Sequence, residues 1–167
     1  LYSEDAVRRA SIPELRFMAG RALAFTRPEN LLASSLSPRQ LRLLMDAVVD
    51  LAMPSRPLDP GPEVGALTKK LDKAIPRNKR QRLEQLAKRV LEHTEELSIR
   101  NWLEGVEHTC NRAGLLQCGD LEAAVKVLKG ARVVSPSGSN RSLIRELIFY
   151  SISDEYFELR RVLDASI

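Results

Sequence analysis

His93, His108, Cys110 and Cys118 are the residues of this 167-residue chain best suited to hold zinc, which accepts tetrahedral sets of two histidines and two cysteines. Their spacing argues against a shared site. His108 and Cys110 stand two apart, a turn of about 200° on a helix, so their side chains leave opposite faces. Cys110 falls on an apolar face, where a free thiol behaves as a small hydrophobe. Cys118 falls near a helix C-terminus, the end whose dipole disfavours a thiolate, so cysteine catalysis is not expected either. The carboxylate pairs Glu95-Glu96, Asp154-Glu155 and Asp46/Asp50 lie at helix starts or on exposed faces, where capping and solubility account for them. Nucleotide-binding glycine loops, the H-E-x-x-H signature and the G-x-S-x-G elbow are all missing. The expectation is no metal, no cofactor and no catalytic residue.

Charge is the more distinctive signal. Lys69, Lys70, Lys73, Arg77, Lys79, Arg80, Arg82, Lys88 and Arg89 face only Asp72 and Glu84 within 69–89. That segment carries +7, which leaves −3 for the rest of a chain of net charge +4. Three readings are open: the solvated outer face of two helices, a docking face for an acidic protein or neighbouring domain, and a phosphate-binding face for nucleic acid. No aromatic residue interleaves the run, which disfavours stacking on single-stranded bases. Arg77, Lys79, Arg80, Arg82, Lys88 and Arg89 are the candidate partner-binding residues on this face. Phe149, Tyr150, Tyr156 and Phe157 form a second candidate, an aromatic C-terminal hairpin with rings on both sides of the last turn. Packing of the two terminal helices against the core is the competing account of those rings. Trp102 is expected to anchor a helix in the core.

The elements that position these residues are helices throughout, because apolar residues recur at three and four and almost never alternate. Ser11-Ile12-Pro13-Glu14 opens a first helix with Leu15, Met18, Ala19, Ala22, Leu23 and Phe25 on its apolar face, and Pro28 closes it. Ser37-Pro38-Arg39-Gln40 is a capping box before Leu41, Leu44, Met45, Val48 and Leu51. Four prolines between Pro54 and Pro62 make a loop or linker. Helices follow over about 63–75, with Val64, Leu67, Leu71 and Ile75, and about 78–93, with Leu83, Leu86, Ala87, Val90 and Leu91. Ser98 caps the next, which ends before Gly119, and Asp120 caps another that Gly130 closes. After a loop over 131–140, Asn140 and Ser153 open the last two, with Tyr156, Leu159, Val162 and Leu163 expected inward on the final helix.

The result is an all-α chain of about eight helices in stacked antiparallel hairpins, closing as a compact bundle or a short tetratricopeptide-like solenoid. Residues 1–167 read as a single domain, with a subdivision into 1–53 and 63–167 across the proline-rich linker 54–62 as the variant. An apolar fraction of 44%, with 29% charged and 5% aromatic, suits an ordered aliphatic core. No apolar run reaches the ~18 residues that span a bilayer, and the acidic start is no secretory signal. Two cysteines make no disulfide framework, so a reducing, cytoplasmic setting is expected. Leu1 at the start is read as a piece of a longer chain.

Within residues 102–130 (WLEGVEHTCNRAGLLQCGDLEAAVKVLKG), Ala113-Gly114, Gly119-Asp120-Leu121, Ala123-Ala124 and Leu128 look like the second half of one degenerate tetratricopeptide unit, with the first half out of register and no repeating array. Together with GRALAFTRPENLLASSLSPRQLRLLMDAVVDLA (20–52) and RELIFYSISDEYFELRRVL (145–163), they resemble a helical region of large tetratricopeptide-repeat proteins from myxobacteria and related deltaproteobacteria. The resemblance implies a bacterial interaction or scaffold region beyond a repeat array, and carries over no functional residue. The expected function is a non-enzymatic protein–protein interaction or scaffold module using the basic face and the aromatic hairpin. A nucleic-acid-binding domain using 69–89 is the alternative.

Overall fold

Helix capping written into the sequence sets several of the element boundaries in the structure, a computed structural model that describes residue 2 and residues 4–54, 61–93, 98–130 and 140–163, apart from the side chains of Val90 and His93. The elements are α1 (Glu4–Arg9), α2 (Ile12–Phe25), α3 (Leu31–Ser35), α4 (Pro38–Ala52), α5 (Gly61–Ala74), α6 (Arg77–His93), α7 (Ile99–Cys118), α8 (Leu121–Gly130), α9 (Asn140–Ser151) and α10 (Asp154–Val162). No strand occurs among the described residues, and the protein is all-α. Of the loop expected over 131–140, residues 131–139 lie outside the described residues, as does 55–60 of the proline-rich stretch, and Asn140 is the first residue of α9.

There are ten helices among the described residues rather than about eight, and the two extra ones, α1 and α3, are short. Helix α1 joins an acidic first turn, Glu4 and Asp5, to a basic last turn, Arg8 and Arg9, both favourable to the dipole. Helix α3 restarts the chain just after Pro28. The buried side chain of Asn30 donates from Nδ2 to the Ala24 carbonyl (2.9 Å), satisfying the end of α2 while the next turn forms. The box at α4 is complete: Gln40 N–H donates to Ser37 Oγ (3.3 Å), and Ser37 N–H donates to Gln40 Oε1 (2.8 Å). Gly119 takes a left-handed φ of 65° after α7, and Arg160 Nη1 donates to the Leu116 carbonyl there (2.9 Å).

The chain forms two units. One joins Leu1–Ser35 to Arg100–Ile167, and the other is Leu36–Ile99. Helices α4 and α5, on either side of the proline-rich stretch, belong to the same unit.

In the first unit, Phe17 and Met18 of α2 pack with Leu115 of α7, Ala124, Val127 and Leu128 of α8, Leu147 and Tyr150 of α9, and Tyr156 of α10. Gly20 and Gly114 let the backbones of α2 and α7 meet. A Cβ on Gly114 would lie 2.8 Å from the Phe17 carbonyl oxygen and 2.9 Å from two Phe17 ring carbons. Cys110 packs with Ala24 and Val106 in a second apolar cluster. Beside it Arg21 Nε donates to Oδ1 of the fully buried Asn111 (2.7 Å).

Helix α2 turns a different face inward from the one its apolar spacing predicts. Glu14, Phe17, Met18, Gly20 and Ala24 are buried, whereas Leu15 and Leu23 are exposed. Trp102 is likewise 38% exposed rather than a core anchor, since Leu103 and Val106 take the inward line of α7. On α10 only Tyr156 is buried, and Leu159 and Val162 point outward, as does Leu163 at its end.

Glu14 is the one acidic side chain in that inward set, and its partners explain how it can be there. Lys126 Nζ of α8 stands 2.7 Å from Oε1, and the Ser11 N–H donates to Oε2 (2.6 Å). Lys126, then the Ser11 backbone, hold the carboxyl down from 4.5 to about 2. A depressed folded-state pKa contributes stability that is present above the ordinary value and lost as pH falls through the folded one. Glu14→Gln is therefore expected to lower the urea midpoint at pH 7, with the difference from the parent chain shrinking between pH 4.5 and 2. A difference that stays constant over that range would refute this account.

In the second unit α4 packs on α5 and on α6. Leu41 and Ala47 of α4, Val64 of α5 and Ala87 of α6 are its buried apolar residues among the described ones. Thr68 Oγ1 donates to Asp50 Oδ2 (2.8 Å) and so ties α5 to α4.

Candidate interaction surfaces

The basic residues of α6 separate by what they touch. Arg80 Nη1 pairs with Asp72 Oδ1 (2.7 Å), and its Nη2 donates to the Asp72 carbonyl (2.7 Å), which joins the end of α5 to the start of α6. Lys88 Nζ is 2.6 Å from Glu84 Oε1, one turn earlier, and this contact raises its pKa. These two cations serve the fold. Arg77, Lys79 and Arg82 are exposed and make no ion pair among the described residues, and Arg89 is exposed further along. On α5, Lys69, Lys70 and Lys73 are exposed as well.

Helical geometry sorts α6 further. At about 100° per residue, Leu83, Ala87 and Leu91 share one side with Arg80, while Lys79, Arg82, Leu86 and Arg89 share the other. Leu86 was expected inward with Leu83 and Ala87, but it is 47% exposed because it sits about 100° around from Ala87. The spacing 83, 86, 87, 90, 91 is that of an ordinary amphipathic stripe, so nothing in the sequence marked Leu86 as the outward leucine.

The aromatic hairpin at α9 and α10 divides in the same way. Tyr150 and Tyr156 are buried in the core, edge to face at 5.5 Å, and burial raises both phenol pKa values. They are held there by Ser153, whose Oγ accepts from Tyr156 N–H (3.2 Å) and donates to the Tyr150 carbonyl (2.8 Å). Phe149 and Phe157 are exposed instead, and Ile148 and Ile152 join them, Ile152 at 70%. Adjacent aromatics on a helix differ by about 100°, so one of each pair must turn away.

Beside Phe149 an open groove of about 410 Å³ is lined by Arg112, Arg145, Glu146, Phe149, Tyr150 and Glu155, among others. Arg112 lies over the Tyr150 ring at 4.6 Å and donates from Nε to Glu146 Oε1 (2.8 Å), and Glu155 lies 3.5 Å from its Nη1. Arg145 sits over Phe149 at 5.6 Å. The groove is thus lined by the Phe149 and Tyr150 rings, by the guanidinium groups lying over them and by the carboxylates of Glu146 and Glu155.

Of the residues weighed as metal ligands, the side chain of His93 lies outside the described residues. Cys110 is fully buried, with its thiol pKa pushed up to about 11 by burial, and Cys118 is raised by burial too. Cys118 Sγ accepts from the Asp120 N–H at 3.4 Å, at the end of α7. Among the described residues no three His, Cys, Asp or Glu side chains group so as to hold a metal ion. No helix is long and apolar enough to cross a membrane, among the described residues. Compared with protein-family models, with curated proteins and with solved structures, the chain gives no match.

Proposed function

We propose that this chain is a non-enzymatic protein-interaction or scaffold module of a larger, cytoplasmic bacterial protein, acting through the outward face of α6 and the exposed rings of α9 and α10. One observation carries the reading: Arg77, Lys79 and Arg82 stand exposed on α6 without ion pairs among the described residues, whereas Arg80 and Lys88 are engaged by the fold. Cations left without partners raise the local potential and favour an acidic surface that approaches them. The resemblance to the helical region of tetratricopeptide-repeat proteins favours the same role.

The test is capture from a nuclease-treated lysate with the tagged full chain, with Arg77→Glu/Lys79→Glu/Arg82→Glu, and with Phe149→Ala/Phe157→Ala. The expected result is a set of proteins retained by the parent and lost from the charge-reversed chain. Unchanged capture would overturn the role of the basic face. Fluorescence anisotropy with labelled duplex and single-stranded DNA and RNA supplies the other arm. Micromolar binding that weakens steeply with salt would replace the protein partner with nucleic acid.

A further inference from the structure

The outward side of α6 is not uniformly charged. Lys79, Arg82, Leu86 and Arg89 follow at i, i+3, i+7 and i+10, which confines them to about 80° of arc and spreads them over about 15 Å of helix. All four are exposed, and Leu86 keeps 47% of its surface in water. The two carboxylates of α6 lie elsewhere: Glu84 is about 180° from the middle of this stripe and Glu92 about 100°. Glu84, moreover, is tied to Lys88. The stripe therefore carries three basic side chains and no carboxylate of α6, and is apolar at one point, between Arg82 and Arg89.

That pattern selects among polyanions. A phosphate backbone would engage the lysine and the arginines and leave Leu86 in water, since phosphate and sugar contacts are polar. A second helix lying along α6 would cover the leucine with an apolar side chain of its own and set acidic side chains against the flanking cations. In paired helices an apolar seam bordered by opposite charges fixes partner choice and register. We propose that the outward stripe of α6 docks an acidic amphipathic helix of a partner protein, with Leu86 covered by the partner's apolar seam and Lys79, Arg82 and Arg89 facing its carboxylates. This rests on the protein-interaction reading of the basic face and specifies the chemistry of its partner.

The probe is a fluorescent synthetic peptide of about three heptads, with leucine at a and d and glutamate at e and g. A scrambled peptide of equal composition and a labelled DNA duplex serve as comparators, and anisotropy is read against the full chain. The phased peptide is expected to bind about tenfold more tightly than the scrambled one, because only a helical phase brings apolar and acidic side chains to the stripe together. Leu86→Gln, which keeps good helix propensity, is expected to weaken the phased peptide about tenfold and to leave DNA binding unchanged. Lys79→Glu/Arg82→Glu is expected to weaken both. Circular dichroism confirms that each variant retains its helices, and Leu86→Ala replaces Leu86→Gln if it does not.

Equal binding of phased and scrambled peptides would overturn the proposal, as would an unaltered affinity in both leucine variants. DNA bound more tightly than the phased peptide would assign the face to phosphate. If protein capture from lysate still depends on Lys79 and Arg82 while the peptides are not distinguished, the helix proposal fails and the interaction module stands. If that capture is also independent of them, both fail.

Discussion

Phe17→Ala is expected to destabilise the unit that joins the chain's two ends by about 3–5 kcal/mol, the range for emptying a fully buried aromatic site. Phe17 is completely enclosed, packs in the cluster built from α2, α7, α8, α9 and α10, and lies directly against Gly114. The surrounding helices are pinned by Arg112, which holds Glu146 of α9, and by Arg160, which holds the end of α7. They have little freedom to close over the cavity. Urea unfolding followed at 222 nm reads the effect. A loss below about 1 kcal/mol would show that the cluster collapses around the vacancy, as sites that relax freely do.

Gly114→Ala is the second large effect, and its sign is settled by comparing magnitudes. On an exposed helix surface alanine would stabilise by about 1 kcal/mol relative to glycine. Here the new Cβ meets the Phe17 carbonyl oxygen at 2.8 Å and two ring carbons at 2.9 Å. One of those obstacles is backbone, so α2 and α7 must separate rather than one side chain rotate. Overpacking of this kind costs about 1–3 kcal/mol and should outweigh the propensity gain. Because the ring is part of the obstacle, Phe17→Leu/Gly114→Ala should lose less than its single variants added together, with a coupling of at least about 0.5 kcal/mol in a double-mutant cycle. Additive losses would mean that the carbonyl alone sets the contact.

Much of the secondary structure was legible because local chemistry decides it. The box from Ser37 to Gln40, the left-handed Gly119 and the Ser153 cap are short-range features that a single sequence displays whole. The two short helices were not legible, because five or six residues are too few to establish a period. The glycine crossing left no trace either, since glycine in a helical pattern does not announce what presses on it. Which apolar residues face water depends on how many neighbours a helix has. Trp102, Leu23 and Leu86 fit an inward pattern, but the adjoining elements cover only one side of α7, α2 and α6 respectively. The basic face was visible as a charge excess, whereas its division into cations held by the fold and cations left outward needed the positions of Asp72 and Glu84.

The interleaving of the two units has a consequence for how the polypeptide is made. Arg21 and its hydrogen-bond partner Asn111 are 90 residues apart, and the whole of the second unit lies between them in sequence. A ribosome therefore delivers α2, with Phe17 and Met18, well before α7 exists to cover them. The intervening helices α4, α5 and α6 emerge in one contiguous stretch and can assemble while α2 waits. A nascent chain halted after about residue 100 holds every residue of the second unit but, of the first, little more than 1–35, with α2 still lacking the α7 that covers Phe17.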